Sequence, residues 1–169
     1  NQKMLAEADK IPLRKPGEPG PRESLLPVEA SPAIGHEVWR LDTRSGTDEG
    51  PVLQVNADIQ DGNWRGVSSS PVFQALVFPA VLREILVRIL VHDRHKKDQD
   101  DEDVSLDWRD KWLAFADNLS PTGHQELDVP DPQEPVPDEV FDWIDGVVEA
   151  FCRRYRFAPN FDKCLRGEL

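Results

Sequence analysis

Proline placement constrains this chain more than any other feature. Of its 15 prolines, six (Pro12, Pro16, Pro19, Pro21, Pro27 and Pro32) fall within residues 1–35, and five (Pro121, Pro130, Pro132, Pro135 and Pro137) within 120–137. Proline fixes φ and removes a backbone donor, so neither stretch can be a helix. Regular structure is therefore expected between the two stretches and after the second. Residues 1–35 read as a proline-rich extended arm or linker, with Gly17, Gly20 and Gly35 interspersed. Its short apolar sets, Ile11-Pro12-Leu13 and Leu25-Leu26-Pro27-Val28, predict an arm that docks at points on a surface. Leu25 and Leu26 are candidate contact residues in it. Residues 36–169 read as a single α+β domain.

Within that domain, 36–42 and 51–56 alternate as short strands, Val38 and Arg40 against Trp39 and Leu41 in the first. They predict a β-hairpin. A lone hairpin is marginal in water, so it must lie on helices or extend a sheet supplied from elsewhere. Residues 57–69 carry turn chemistry (Asp61-Gly62-Asn63, Gly66) and one large apolar side chain, Trp64, which predicts a loop.

Residues 72–91 form the longest apolar run, long enough to be tested as a membrane span. It holds Arg83, Glu84 and Arg88. Three charges at roughly 2.5–3.5 kcal/mol each on insertion scales argue for a buried helix instead, and no membrane partner is expected. Ser70-Pro71 is a cap followed by proline at the first helical position, and Pro79 is expected to break or kink the helix. Its polar stripe is Glu84, Arg88 and His92. Ser105 is the expected cap of a second helix, with Trp108, Trp112, Phe115, Ala116 and Leu119 on one face. Asp138 is the expected cap of a third, faced by Val140, Ile144, Val147, Val148, Phe151 and Tyr155. The fold class is thus helix-rich α+β: a small β-hairpin packed on about three helices, entered by a proline-rich arm, with acidic loops at 96–104 and 120–137.

Net charge is −12, and it is segregated: residues 98–145 alone carry −14. Such acidity argues against direct binding of nucleic acid, whose affinity comes from bases neutralising phosphates. Two cysteines, Cys152 and Cys164, stand without a Cys or His cluster, so neither a disulfide framework nor a zinc site is expected. Free thiols and the absence of a targeting signal place the chain in the cytoplasm as an expectation. The chain opens on Asn1 rather than Met and reads as the C-terminal part of a larger multidomain protein or complex.

The enzyme motifs fail one by one. Counting back from Gly62, Ala57 stands where a calcium loop needs its first carboxylate. Asp42 is followed by Gln54-Val55-Asn56 rather than the acid-x-Lys of a metal-dependent nuclease. No Gly-x-Ser-x-Gly elbow and no phosphate-binding glycine loop occurs. His92 and His95 have metal-compatible spacing, but Arg94, Lys96 and Lys97 beside them repel a cation. No catalytic, metal or cofactor residue is therefore assigned.

Five tryptophans are more than packing requires, and aromatics are enriched where proteins meet partners. Trp64, in a polar loop beside Arg65, and Trp143, read as lying off its helix stripe between Asp142 and Asp145, are the candidate anchors. The expected function is a non-enzymatic protein–protein interaction or assembly module that docks another domain or subunit through Trp64, Arg65, Trp143, Leu25 and Leu26. Two alternatives stand beside it. One is a divergent metal-dependent hydrolase fragment using Asp42 and Asp58 with His92 or His95; the other is an acidic inhibitor that mimics nucleic acid.

Overall fold

The computed structural model describes residues 24–43, 49–96 and 107–168. The arm as far as residue 23 lies outside them, as do Ser105 and, apart from Lys96, the acidic loop drawn at 96–104. The described chain is a helix-rich α+β fold with a small three-stranded sheet. It divides into two compact units, one made of residues up to Phe78 together with Phe157 onward, the other of Pro79–Arg156.

The first unit holds the sheet, in which β1 (Val28–Ser31), β2 (Trp39–Asp42) and β3 (Val52–Asn56) lie in the order β1-β3-β2. The expected hairpin is present as the antiparallel β2–β3 pair, with Leu41 opposite Leu53 and Trp39 opposite Val55. The sheet has a third strand, however, and it comes from inside the proline-rich stretch: β1 pairs parallel to β3, with Val28 opposite Leu53 and Ala30 opposite Val55. Period-two alternation then sorts the faces. Val28, Ala30, Leu53, Val55, Trp39 and Leu41 share one, on which Leu53 and Val55 are fully buried. Glu29, Gln54 and Arg40 form a polar row across the other, where Gln54 Nε2 donates to Glu29 Oε1 at 3.3 Å.

Asn56 ties the ends of this sheet together. Its Nδ2 donates to the carbonyls of Gly35 and Glu37, both at 3.0 Å, and its Oδ1 accepts from the Asp58 N–H at 2.9 Å. The segment expected to be a loop is more ordered than its composition implies. Gln60 and Asp61 take left-handed conformations (φ 49° and 55°), as does Gly62 at φ 91°. Only glycine adopts that region at little steric cost. The chain then enters a short helix, α1 (Trp64–Ser68), whose first turn is capped by Asn63 Oδ1 accepting from the Gly66 N–H at 3.3 Å.

Ser70 opens α2 (Pro71–Val87) as expected, its Oγ accepting the Phe73 N–H at 3.1 Å. Pro79 does not end this helix. Proline inside a helix costs about 3 kcal/mol by removing one bond and crowding the preceding turn. Burial of Val77 and Phe78 before it, and of Val81 and Leu82 after it, outweighs that cost. The boundary between the two units nevertheless falls at this proline.

In the second unit α2 widens into a π-turn (Arg88–His92), after which Arg94 adopts a left-handed φ of 51°. Next come α3 (Trp108–Asp117) and α4 (Asp138–Tyr155). The described cap of α3 is Asp107, whose Oδ1 accepts the Arg109 N–H at 2.9 Å. Asp138 is the first helical residue of α4 rather than its cap, which is Pro137. There Asp138 and Glu139 favour the positive end of the helix dipole. The expected faces are buried at Trp112, Phe115 and Ala116 on α3 and at Val140, Ile144, Val147, Val148 and Phe151 on α4. Edge-to-face rings link Trp112 to Phe115 at 6.0 Å, Phe115 to Phe151 at 5.9 Å and Phe151 to Tyr155 at 5.0 Å. Arg156, left-handed at φ 56°, turns the chain into a further helix, α5 (Phe157–Leu165), which belongs to the first unit. No helix among the described residues is long and apolar enough to cross a membrane.

Candidate interaction site

The site is the outer edge of β2, and the register defines it. The Asn56 N–H donates to the Val38 carbonyl at 3.0 Å. This bond brackets Trp39 and Val55 as a non-hydrogen-bonded pair, so in an antiparallel ladder Arg40 and Asp42 turn their own N–H and C=O groups toward β3. Trp39 and Leu41 turn theirs away. Among the described residues no hydrogen bond takes up these outward groups. Val38, at the entrance to the strand, is 49% exposed.

The other edge of the sheet is different. The Leu53 N–H donates to the Pro27 carbonyl at 2.9 Å and the Ala57 N–H to the Ser31 carbonyl at 3.1 Å, which leaves Val28 and Ala30 facing outward from β1. Pro32 is the next outward-facing position after Val28 and Ala30, and proline has no N–H to offer an added strand, whereas Pro27 turns toward β3. β1 is thus a blunted edge and β2 an open one.

The candidate anchors scatter. Trp64 is half-buried at the start of α1, and Arg65 lies over its ring at 5.1 Å from the centroid. This cation–π pair is surface-accessible through the exposed Arg65. Leu25 is half-buried, but Leu26 is only 8% exposed and belongs to the core. Trp143 corrects the expectation that it lies off the stripe: it is 7% exposed, and its indole N–H donates to the Thr122 carbonyl at 2.9 Å. A buried tryptophan with a satisfied N–H is a packing residue and offers no surface to a partner. The overlooked signal was spacing, since Trp143 lies three residues after Val140 and four before Val147, on their side of the helix.

The second unit carries a charged network that no sequence pattern announced. Asp93 is gripped by two guanidiniums, Arg88 Nε at 2.8 Å on Oδ1 and Arg109 Nε at 2.9 Å on Oδ2. Arg109 also bonds Asp107 Oδ2 at 2.9 Å and lies 4.8 Å over the Trp108 ring. Burial pushes the Arg109 pKa down, but the bonds and charges of Asp93 and Asp107 more than offset it, so the pKa ends above its ordinary value. His95 Nε2 pairs with Asp110 Oδ1 at 2.9 Å, and His124 Nδ1 with Asp117 Oδ2 at 2.7 Å. Asp110 and Asp117 are seven residues apart, two turns along one side of α3, so each His–Asp pair fastens a flanking loop to an end of that helix.

The acidic loop drawn at 120–137 is accordingly held at several points. Besides His124 and Thr122, Arg94 reaches the carbonyls of Pro130 at 3.5 Å and Glu134 at 3.2 Å, and Val129 and Pro130 are buried. The sequence could not show this, because it depends on the left-handed turn at Arg94.

The residues of the hydrolase alternative are not gathered into a ligand set. Asp42 lies on β2, Asp58 follows β3, His92 is exposed on the π-turn and His95 is engaged by Asp110. Among the described residues no group of three or more His, Cys, Asp or Glu is placed to hold a metal. Both cysteines are free and half-buried, and burial, chiefly, pushes the Cys152 thiol up in pKa, away from a reactive thiolate. No family model, no curated protein and no solved structure matches this chain, so its function is argued from its own residues.

Proposed function

We propose that this chain is a non-enzymatic protein–protein interaction module whose β2 edge accepts an extended segment of another domain or subunit as an added strand. One observation carries the reading: Trp39 and Leu41 direct backbone donors and acceptors outward with no partner among the described residues, while the outward edge of β1 runs into Pro32, which has no N–H. Strand addition satisfies such groups, and side-chain contacts on alternate positions select the partner. Val38, 49% exposed at the entrance to β2, is the kind of side chain that such selection uses.

The test is a screen of displayed ten-residue peptides against the chain, followed by residue-resolved amide exchange on any peptide that binds. Binding is expected to slow exchange at the Trp39 and Leu41 amides. Peptides that bind without protecting those amides, or a screen that yields none, would sink the reading.

A further inference from the structure

We infer that the strand taken up by the β2 edge is β2 of a second copy of this chain, forming a continuous antiparallel sheet across a two-fold axis. The inference rests on the edge-docking reading and adds the identity of the occupant. Its argument is charge register. Side chains facing each other across a two-fold pair must lie on the same face of the sheet, so only a few registers are available.

With Leu41 opposite its own copy, the outward N–H and C=O groups of the two Leu41 residues bond reciprocally, and Trp39 meets Thr43 at either end. Arg40 then stands directly opposite Asp42 of the other copy, twice by symmetry, in the non-hydrogen-bonded sites where cross-strand Cα atoms come within about 4.5 Å. Both side chains lie on the polar face of the sheet.

The neighbouring registers are worse. Centring on Arg40 places two guanidiniums against each other, and centring on Trp39 leaves Arg40 opposite Val38. Self-pairing of the β1 edge either sets Glu29 against Glu29 or runs into Pro27 or Pro32. In the single chain Arg40 Nε contacts Glu37 Oε2 at 2.6 Å, and both side chains are about half exposed (50% and 52%). An exposed pair of this kind exchanges partners at little cost. The register requires only that Arg40 and Asp42 face each other, whatever other partner each keeps within its own copy.

Sedimentation equilibrium on the full chain, with circular dichroism to confirm folding, tests this through a charge swap. Wild type is expected to dimerise at high micromolar concentration and to weaken with added salt. Arg40→Asp and Asp42→Arg are each expected to weaken the dimer about tenfold, because each turns two attractive cross-strand pairs into repulsive ones. The double variant Arg40→Asp/Asp42→Arg is expected to return to within about threefold of wild type, since it restores opposite charges in mirrored positions. If a variant fails to fold, exchange at the Leu41 amide of wild type gives the second readout, and it must slow as concentration rises. A wild type that stays monomeric with a Leu41 amide insensitive to concentration overturns the self-pairing but leaves the peptide screen to judge the edge. A dimer that ignores all three variants overturns it too, by assigning the contact to another surface.

Discussion

In the unit formed by Pro79–Arg156, the Asp93 carboxylate receives Arg88 and Arg109, each histidine of the two loops meets an aspartate of α3, and the Trp143 indole finds the Thr122 carbonyl. In the unit that holds the sheet, Trp39 and Leu41 point backbone groups away from β3, their one neighbouring strand among the described residues, and Gln74 Nε2 has no hydrogen-bond partner among them. One unit spends its polar side chains on fixing its own loops. The other leaves polar groups over. A buried polar group without a partner costs free energy in the isolated chain, and the unpaired N–H and C=O groups of a strand edge are a template on which a further strand can pair. The proposed strand addition draws on the groups left over in the sheet unit, although the helical unit has the larger share of charge.

The largest expected effect tests the self-sufficiency of the helical unit. Trp143→Ala removes a side chain that is 7% exposed, opens a cavity and frees the Thr122 carbonyl. The expected loss is about 3–5 kcal/mol of unfolding free energy, measured by urea denaturation. A loss below about 1 kcal/mol would mean that the loop after α3 is held without this contact, and the contrast between the units would weaken. Next in size, Asn56→Ala in the sheet unit deletes the amide that joins β3 to the Gly35–Glu37 turn. Its expected cost is about 1–2 kcal/mol, with faster amide exchange from Ala33 to Val38. Unchanged exchange there would show that the β2 edge is positioned by the strand ladder alone.

How much of this was legible follows from the range of each interaction. The β2–β3 pair and the Ser70-Pro71 start of α2 rest on neighbours in sequence, and alternation and capping chemistry display them directly. So do the buried faces of α3 and α4, which follow a 3.6-residue period. β1 was hidden because four residues between Pro27 and Pro32 have no period long enough to read, and its parallel partner lies some 25 positions away (Val28 opposite Leu53). At Pro79 the expected break does not occur, because the local cost of a helical proline is visible in sequence while the burial that offsets it is tertiary. At the candidate site the individual residues Trp64 and Arg65 were readable as exposed chemistry, whereas the β2 edge depends on which carbonyl each amide of β3 chooses. The spacing of Trp143 from Val140 and Val147 marks it as buried, while its acidic neighbours Asp142 and Asp145 point the other way.

The smallest expected effect bears on Gln74 and has the opposite sign. This side chain on α2 is 4% exposed, and its Nε2 has no acceptor among the described residues. An amide kept dry without a hydrogen bond costs on the order of 1–3 kcal/mol relative to water, and methionine has nearly the same length, is unbranched and flexible, and lacks the polar group. Gln74→Met is therefore expected to raise stability by about 1 kcal/mol in thermal or urea unfolding of the full chain. A fall of that size would mean that Gln74 has an acceptor in the intact protein. The sheet unit would then be as self-satisfied around this side chain as the helical unit is around Asp93, and outward strand-edge groups would be what it has left to offer among the described residues.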